Sequence, residues 1–105
     1  MASSKEYLSF VLEQCSELSA RAMMGEYVLY YGGKVVGGVY DNRLLVKLTP
    51  SSLALMPEAR KELPYEGAKE MLLVEDIEDK ELLAKLFDRM YEELPEPSKS
   101  GRDRS

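Results

Sequence analysis

The chain contains no histidine. That removes the commonest general base and the commonest zinc ligand, and with them the Ser-His-Asp and Cys-His arrangements of nucleophilic catalysis. There is one cysteine, Cys15. A single thiol forms neither an intramolecular disulfide nor a cysteine-rich metal site, and the pattern suits a reducing, cytoplasmic compartment. No apolar run approaches the ~20 residues that span a membrane, and the opening MASSKEYLSF lacks the apolar core of a signal peptide. These absences predict a soluble cytoplasmic protein without membrane attachment. A basic surplus is missing too. Fourteen Lys and Arg stand against nineteen Asp and Glu, a net charge of −5. That disfavours a general nucleic-acid binder while leaving room for a local basic patch.

What is present fits one α+β domain. The chain has 105 residues, 45% of them hydrophobic, enough to bury a core without disulfide, metal or cofactor. The spacing predicts a helix over Ser3 to Leu18, with Ser3 as cap and Glu6 completing a capping box. Tyr7, Leu8, Val11, Leu12, Cys15 and Leu18 share its apolar face. Cys15 sits within that face and reads as a small core residue rather than a reactive thiol.

The centre of the chain, Ala20 to Leu48, reads as a tight antiparallel meander. Arg21–Met24 is a short strand before a break or bulge at Gly25, Glu26–Tyr31 a second and Lys34–Tyr40 a third. Gly32-Gly33 and Asp41-Asn42 are two-residue turns, and Arg43–Leu48 closes the meander. Counted straight through those turns, Val28, Tyr30, Val35, Val39, Leu44, Val46 and Leu48 share a core face. The opposite face carries Tyr27, Leu29, Tyr31, Val36, Tyr40 and Leu45, edged by Arg43 and Lys47. An aromatic and aliphatic face of that kind is an interaction surface if left open. The bland alternatives are cover by a helix of the same chain, or Tyr27 shielding the bare backbone of Gly38.

Beyond the meander, Thr49 or Ser51 caps a short helix through Met56, and Pro57 ends it. Arg60–Lys69 reads as a loop, Glu70–Val74 as the last strand. Glu75, Asp76, Glu78 and Asp79 lack the glycine and alternating ligands of a calcium loop and read as an acidic helix start, not a metal site. Glu78 or Asp79 opens a final helix to about Leu94, with Leu82, Leu83, Leu86, Phe87 and Met90 as its stripe. The domain therefore spans 1–94. Residues 95–105 form a polar tail expected to be disordered, whose Lys99, Arg102 and Arg104 are too few to define a nucleic-acid site.

Four segments carry a resemblance: Met23-Met24-Gly25-Glu26-Tyr27, Leu29-Tyr30-Tyr31, Tyr40-Asp41-Asn42-Arg43-Leu44 and Leu63-Pro64-Tyr65-Glu66-Gly67-Ala68-Lys69. In this order and spacing they resemble the N-terminal domain of the TfoX/Sxy regulators of natural competence. The resemblance covers roughly Lys5 to Leu94. It implies a two-layer domain with an antiparallel sheet, in a bacterial cytoplasmic protein linked to regulation of DNA-uptake genes and without a known enzyme activity. Many members have Phe and Gly where this chain has Met24 and Glu26. The longer regulators add a helical C-terminal domain that this sequence does not contain.

Three functions compete. The leading expectation is a non-enzymatic interaction module that docks a protein partner or a second copy through Tyr27, Leu29, Tyr31, Tyr40, Arg43, Leu45 and Lys47. The second is nucleic-acid binding, with Tyr27, Tyr31 and Tyr40 as a stacking platform beside Arg43 and Lys47. The third is a small-ligand site or enzyme on the loop, with Glu66 as base, Lys69 as clamp and Tyr65 beside them.

Overall fold

The computed structural model describes residues 4–95. In chain order the elements are α1 (Lys5–Glu13), β1 (Leu18–Met23), β2 (Glu26–Tyr31), β3 (Lys34–Val39), β4 (Leu44–Val46), α2 (Pro50–Leu55), β5 (Lys61–Glu62), β6 (Met71–Val74) and α3 (Lys80–Glu93). The strands make one six-stranded antiparallel sheet in the order β1-β2-β3-β4-β6-β5. One face of the sheet is covered by helices. Val11 of α1 and Leu83, Leu86, Phe87 and Met90 of α3 pack on Leu29, Val36, Val39, Leu44, Val46, Leu72 and Val74. This is the two-layer α+β architecture that the sequence predicts.

The helix ends follow from side-chain caps. Ser4, not Ser3, accepts the Tyr7 N–H at 3.1 Å, and Ser3 lies outside the described residues. Thr49 and Ser52 form a reciprocal capping box on α2. Asp79 accepts the Leu82 N–H at 3.0 Å to open α3. The first helix stops short of the Leu18 that its apolar spacing predicts. Gln14 ends it, the chain turns, and the Leu18 N–H donates to the Cys15 carbonyl at 3.1 Å. Cys15 and Leu18 still reach the core, so the periodic pattern continued through a turn that buries the same residues. The tail beyond Pro95, with Lys99, Arg102 and Arg104, lies outside the described residues.

Three consecutive hairpins have two-residue turns in the left-handed region. Gly32-Gly33 (φ 59° and 89°) and Asp41-Asn42 (φ 53° and 56°) occur where expected. The third is Met24-Gly25 (φ 52° and 88°), where the sequence suggested only a break or bulge. Methionine carries no side-chain oxygen to ease that backbone, which is why it gives no turn signal. Met24 is 98% exposed and loses no packing when replaced. Met24→Asn is therefore expected to stabilise the domain by about 0.5–1 kcal/mol, read as a higher thermal midpoint.

A bulge reverses half of the expected faces. Tyr30 pairs with Val35, but Leu29 pairs with Gly37 and Tyr27 with Val39, leaving Val36 as an extra residue. A straight count puts Tyr27 opposite Gly38 and so turns β2 over. In the structure Tyr27, Leu29 and Tyr31 face the helices, and Val36 is buried with them. The Tyr31 ring stacks on Phe87 at 5.7 Å between centroids. Val28, Tyr30 and Val35, expected in the core, lie on the opposite side and are only half-buried; Leu48 is exposed. Val39, Leu44 and Val46 are in the core as expected.

Lys34 has a role that the sequence did not suggest. The residue is 6% exposed. The ammonium donates to the Tyr91 carbonyl at 2.8 Å and the Leu94 carbonyl at 3.2 Å, and lies 4.1 Å from the centre of the Tyr91 ring. It thus satisfies carbonyls that the end of α3 leaves without helical partners, at the negative end of the helix dipole.

Candidate functional site

The helix-free face of the sheet is partly roofed by its own chain. On this face Gly38 pairs with Leu45, and Leu45 with Leu73. The Tyr40 ring lies over Gly38, within 2.5 Å of where a Cβ on that glycine would sit. Tyr40, not Tyr27, is therefore the residue that shields that backbone. Leu45 is fully buried although it stands outside the helix-side core. The connection from β5 to β6, residues 63–70, folds back over this region. Pro64 is buried, and the Tyr65 ring meets Tyr40 at 6.1 Å.

Arg43 anchors that connection. Its guanidinium pairs with Glu62 at 2.6 Å and donates to the Leu63 carbonyl at 3.4 Å, while Nε donates to the Tyr40 carbonyl at 3.1 Å. The planar fork suits such divided bonding. Burial, with Tyr65 and Glu26 nearby, holds the Tyr40 hydroxyl above its ordinary pKa, so it stays protonated and neutral.

Between the roof and the open part of the sheet runs a groove of about 780 Å³. Val35, Tyr40, Lys47 and Leu48 line it together with Tyr65, Lys69 and Glu70 of the connection and Met71 of β6. Tyr65 and Leu48 are exposed, Tyr65 at 58%. The groove thus joins two sets of residues that the sequence left apart, Tyr40 and Lys47 from the sheet and Tyr65 and Lys69 from the loop.

The remaining candidates are placed elsewhere. Leu29 is fully buried and Tyr27 and Tyr31 pack on the helix-side core, so they and Tyr40 do not form one stacking platform. Leu45 is covered and Arg43 is engaged in holding the loop. Glu66 is exposed and is not among the groove's lining residues, so it does not stand with Lys69 as a base and clamp. Asp79 of the acidic stretch is the cap of α3, and among the described residues no group of three or more His, Cys, Asp or Glu is placed to hold a metal. Val35, Leu48 and Met71 were missed as groove walls. For Val35 the signal was hidden by the bulge, which turns it outward against the alternating pattern; Leu48 lies beyond the end of β4, where the strand alternation no longer applies.

The family model for the TfoX N-terminal domain matches residues 11–94. The chain is also 38% identical over 80 residues to a Spirochaeta aurantia protein described as an uncharacterized 12.7 kDa protein in the trpE 5′ region, the match covering 73% of this chain and 70% of the relative. No solved structure gives a significant match. Among the described residues no helix is long and apolar enough to cross a membrane. The match over most of the chain, on the antiparallel sheet that the tyrosine-rich hairpins predict, places this protein in the TfoX N-terminal domain family.

Proposed function

We propose that the domain is a non-catalytic regulatory module that binds a protein partner in the groove between β3–β4 and the 63–70 connection. Family membership supports the control of competence genes as the process in which such a module would act. The observation that carries the binding reading is the exposed Tyr65 and Leu48 beside Lys47 and Lys69 in one groove. Aromatic and aliphatic walls supply apolar contact area, and two ammonium groups select for an acidic segment and orient it. The overall charge of −5 works against nucleic acid as the ligand.

The test is affinity capture from source-cell lysate, with and without nuclease, comparing wild type with a Tyr65→Ser/Lys69→Glu variant. Both positions are exposed, so the variant is expected to stay folded, with a slightly lower melting point from loss of the Tyr65–Tyr40 ring contact. A protein retained by wild type alone, and indifferent to nuclease, is the expected result. Equal capture by the variant, or capture lost with nuclease, would overturn the proposal.

A further inference from the structure

The sheet has two edges, and they are built differently. At one end β5 is two residues long, both charged, and its Glu62 is tied to Arg43. Short length and charge are the usual guards of a sheet edge. At the other end β1 runs for six residues, Leu-Ser-Ala-Arg-Ala-Met, with Arg21 its one charge and neither proline nor bulge. It is largely exposed, and among the described residues its outer side has no neighbouring strand in the sheet.

The register says which backbone groups point outward. A two-residue hairpin closes on a pair that exchanges both hydrogen bonds, as Tyr40 and Arg43 do around Asp41-Asn42 at 2.9 and 3.0 Å. Met23 and Glu26 hold the same position around Met24-Gly25. Alternation then turns the N–H and C=O groups of Met23, Arg21 and Ser19 toward β2, and those of Ala22, Ala20 and Leu18 away from it. The Leu18 N–H agrees, since it bonds to the Cys15 carbonyl in the preceding turn.

We propose that two copies of this chain associate through their β1 edges, antiparallel about a two-fold axis at Ala20, joining the two sheets into one. An antiparallel edge is self-complementary, so outward groups of one copy meet their complements on the other, except the Ala22 carbonyl, whose counterpart, the Leu18 N–H, is bonded to Cys15 within its own chain. Ala20 exchanges two bonds with its symmetry mate. Each Ala22 N–H reaches the Leu18 carbonyl of the other copy. This register sets Arg21 across from Ser19, whereas centring on Arg21 would oppose two guanidinium groups. Centring on Ala22 would set Ala20 across from Met24, which sits in the turn. The helix-side seam is lined by the small side chains of Ala20 and Ala22, opposite Leu29 and Tyr27. The contact is small and belongs to the weak, concentration-dependent class. It uses no residue of the groove and stands or falls separately from the binding proposal.

The experiment is sedimentation of the full chain over a concentration series reaching the millimolar range, with amide exchange on the same samples. Wild type is expected to dimerise, with protection rising at the Ala20 and Ala22 amides as concentration increases. Ala20→Pro removes an outward N–H without touching the β1–β2 ladder, so it is expected to fold and to remain monomeric. Ser19→Lys, at an exposed site that faces Arg21 of the other copy, is expected to weaken the dimer several-fold, and Ser19→Glu to tighten it several-fold. A wild type that stays monomeric throughout would overturn the proposal. So would dimerisation that the Ser19 variants leave unchanged.

Discussion

Leu45→Glu is expected to unfold the domain at neutral pH and to regain structure as the pH is lowered. A straight reading of the sequence puts Leu45 on an open face, where a glutamate costs little. The structure buries it completely between Gly38 and Leu73, beneath the roof that carries Pro64 and Tyr65. A glutamate there loses the apolar contacts of leucine and places a carboxylate away from water. The combined cost is about 4 kcal/mol or more, a large share of the ~5–15 kcal/mol that holds a domain together. The pH dependence follows from linkage. Burial raises the folded-state pKa of the new carboxyl above its unfolded value, so the folded state binds the proton more tightly. The penalty is full above the raised pKa and shrinks as the pH falls toward the unfolded value. Circular dichroism of the variant from pH 7 to pH 4 should show structure returning, while Leu45→Met, nearly equal in volume, should melt within about 1.5 kcal/mol of wild type at every pH. A Leu45→Glu variant that melts like wild type at pH 7 would mean that the 63–70 connection does not cover this face.

The contrast shows what was legible in the sequence. Turn chemistry was: Gly32-Gly33 and Asp41-Asn42 name the backbone they adopt, and helix starts are marked by oxygen-bearing caps at Thr49 and Asp79. The apolar stripe of α3 was also legible, since Leu83, Leu86, Phe87 and Met90 hold their spacing without interruption. The bulge was not. It depends on Val36 and Gly37 together facing Leu29; Gly37-Gly38 within β3 marks a bulge or a close backbone approach, but does not say which residue is the extra one, a choice made by the contacts of β3 with its neighbours. A slip of one residue exchanges the two sides of a strand. That is why Tyr27, Leu29 and Tyr31 entered the core while Val28, Tyr30 and Val35 left it.

The candidate site was legible in part for the same reason. Tyr40 and Lys47 lie beyond the bulge and keep their expected side, so they line the groove, and the loop residues Tyr65 and Lys69 complete it. What the sequence could not supply was the fold of the 63–70 connection back onto the sheet. That depends on Arg43 bonding to Glu62, Leu63 and Tyr40 at once, contacts that span from three to twenty residues of sequence. Nor does a lysine after a glycine turn announce that it will cap a helix, as Lys34 does 57 residues away at Tyr91.

The other large effect is expected at Gly37, where the bulge meets β4. Gly37→Ala should destabilise the domain by about 3 kcal/mol, and Gly37→Val should prevent folding. The cause is space, not backbone freedom. A Cβ at this position would fall against the Leu45 carbonyl oxygen and within 2.8 Å of the Val46 Cα. Both are main-chain atoms of β4, and β4 cannot withdraw because its other side is paired to β6 through Leu45–Leu73 and Val46–Leu72. Relief would require opening the β3–β4 ladder, which carries Val39, Leu44 and Val46 into the core. Gly67 is the control. It has φ 89°, and nothing lies within 4 Å of the place a Cβ would take, so Gly67→Ala meets only backbone strain of about 1 kcal/mol. Urea midpoints of the two alanine variants measured side by side should separate clearly, with Gly37→Ala the lower. Equal midpoints would show that β3 does not approach β4 as closely as the bulge requires, and with that the assignment of faces on which the groove depends would fail.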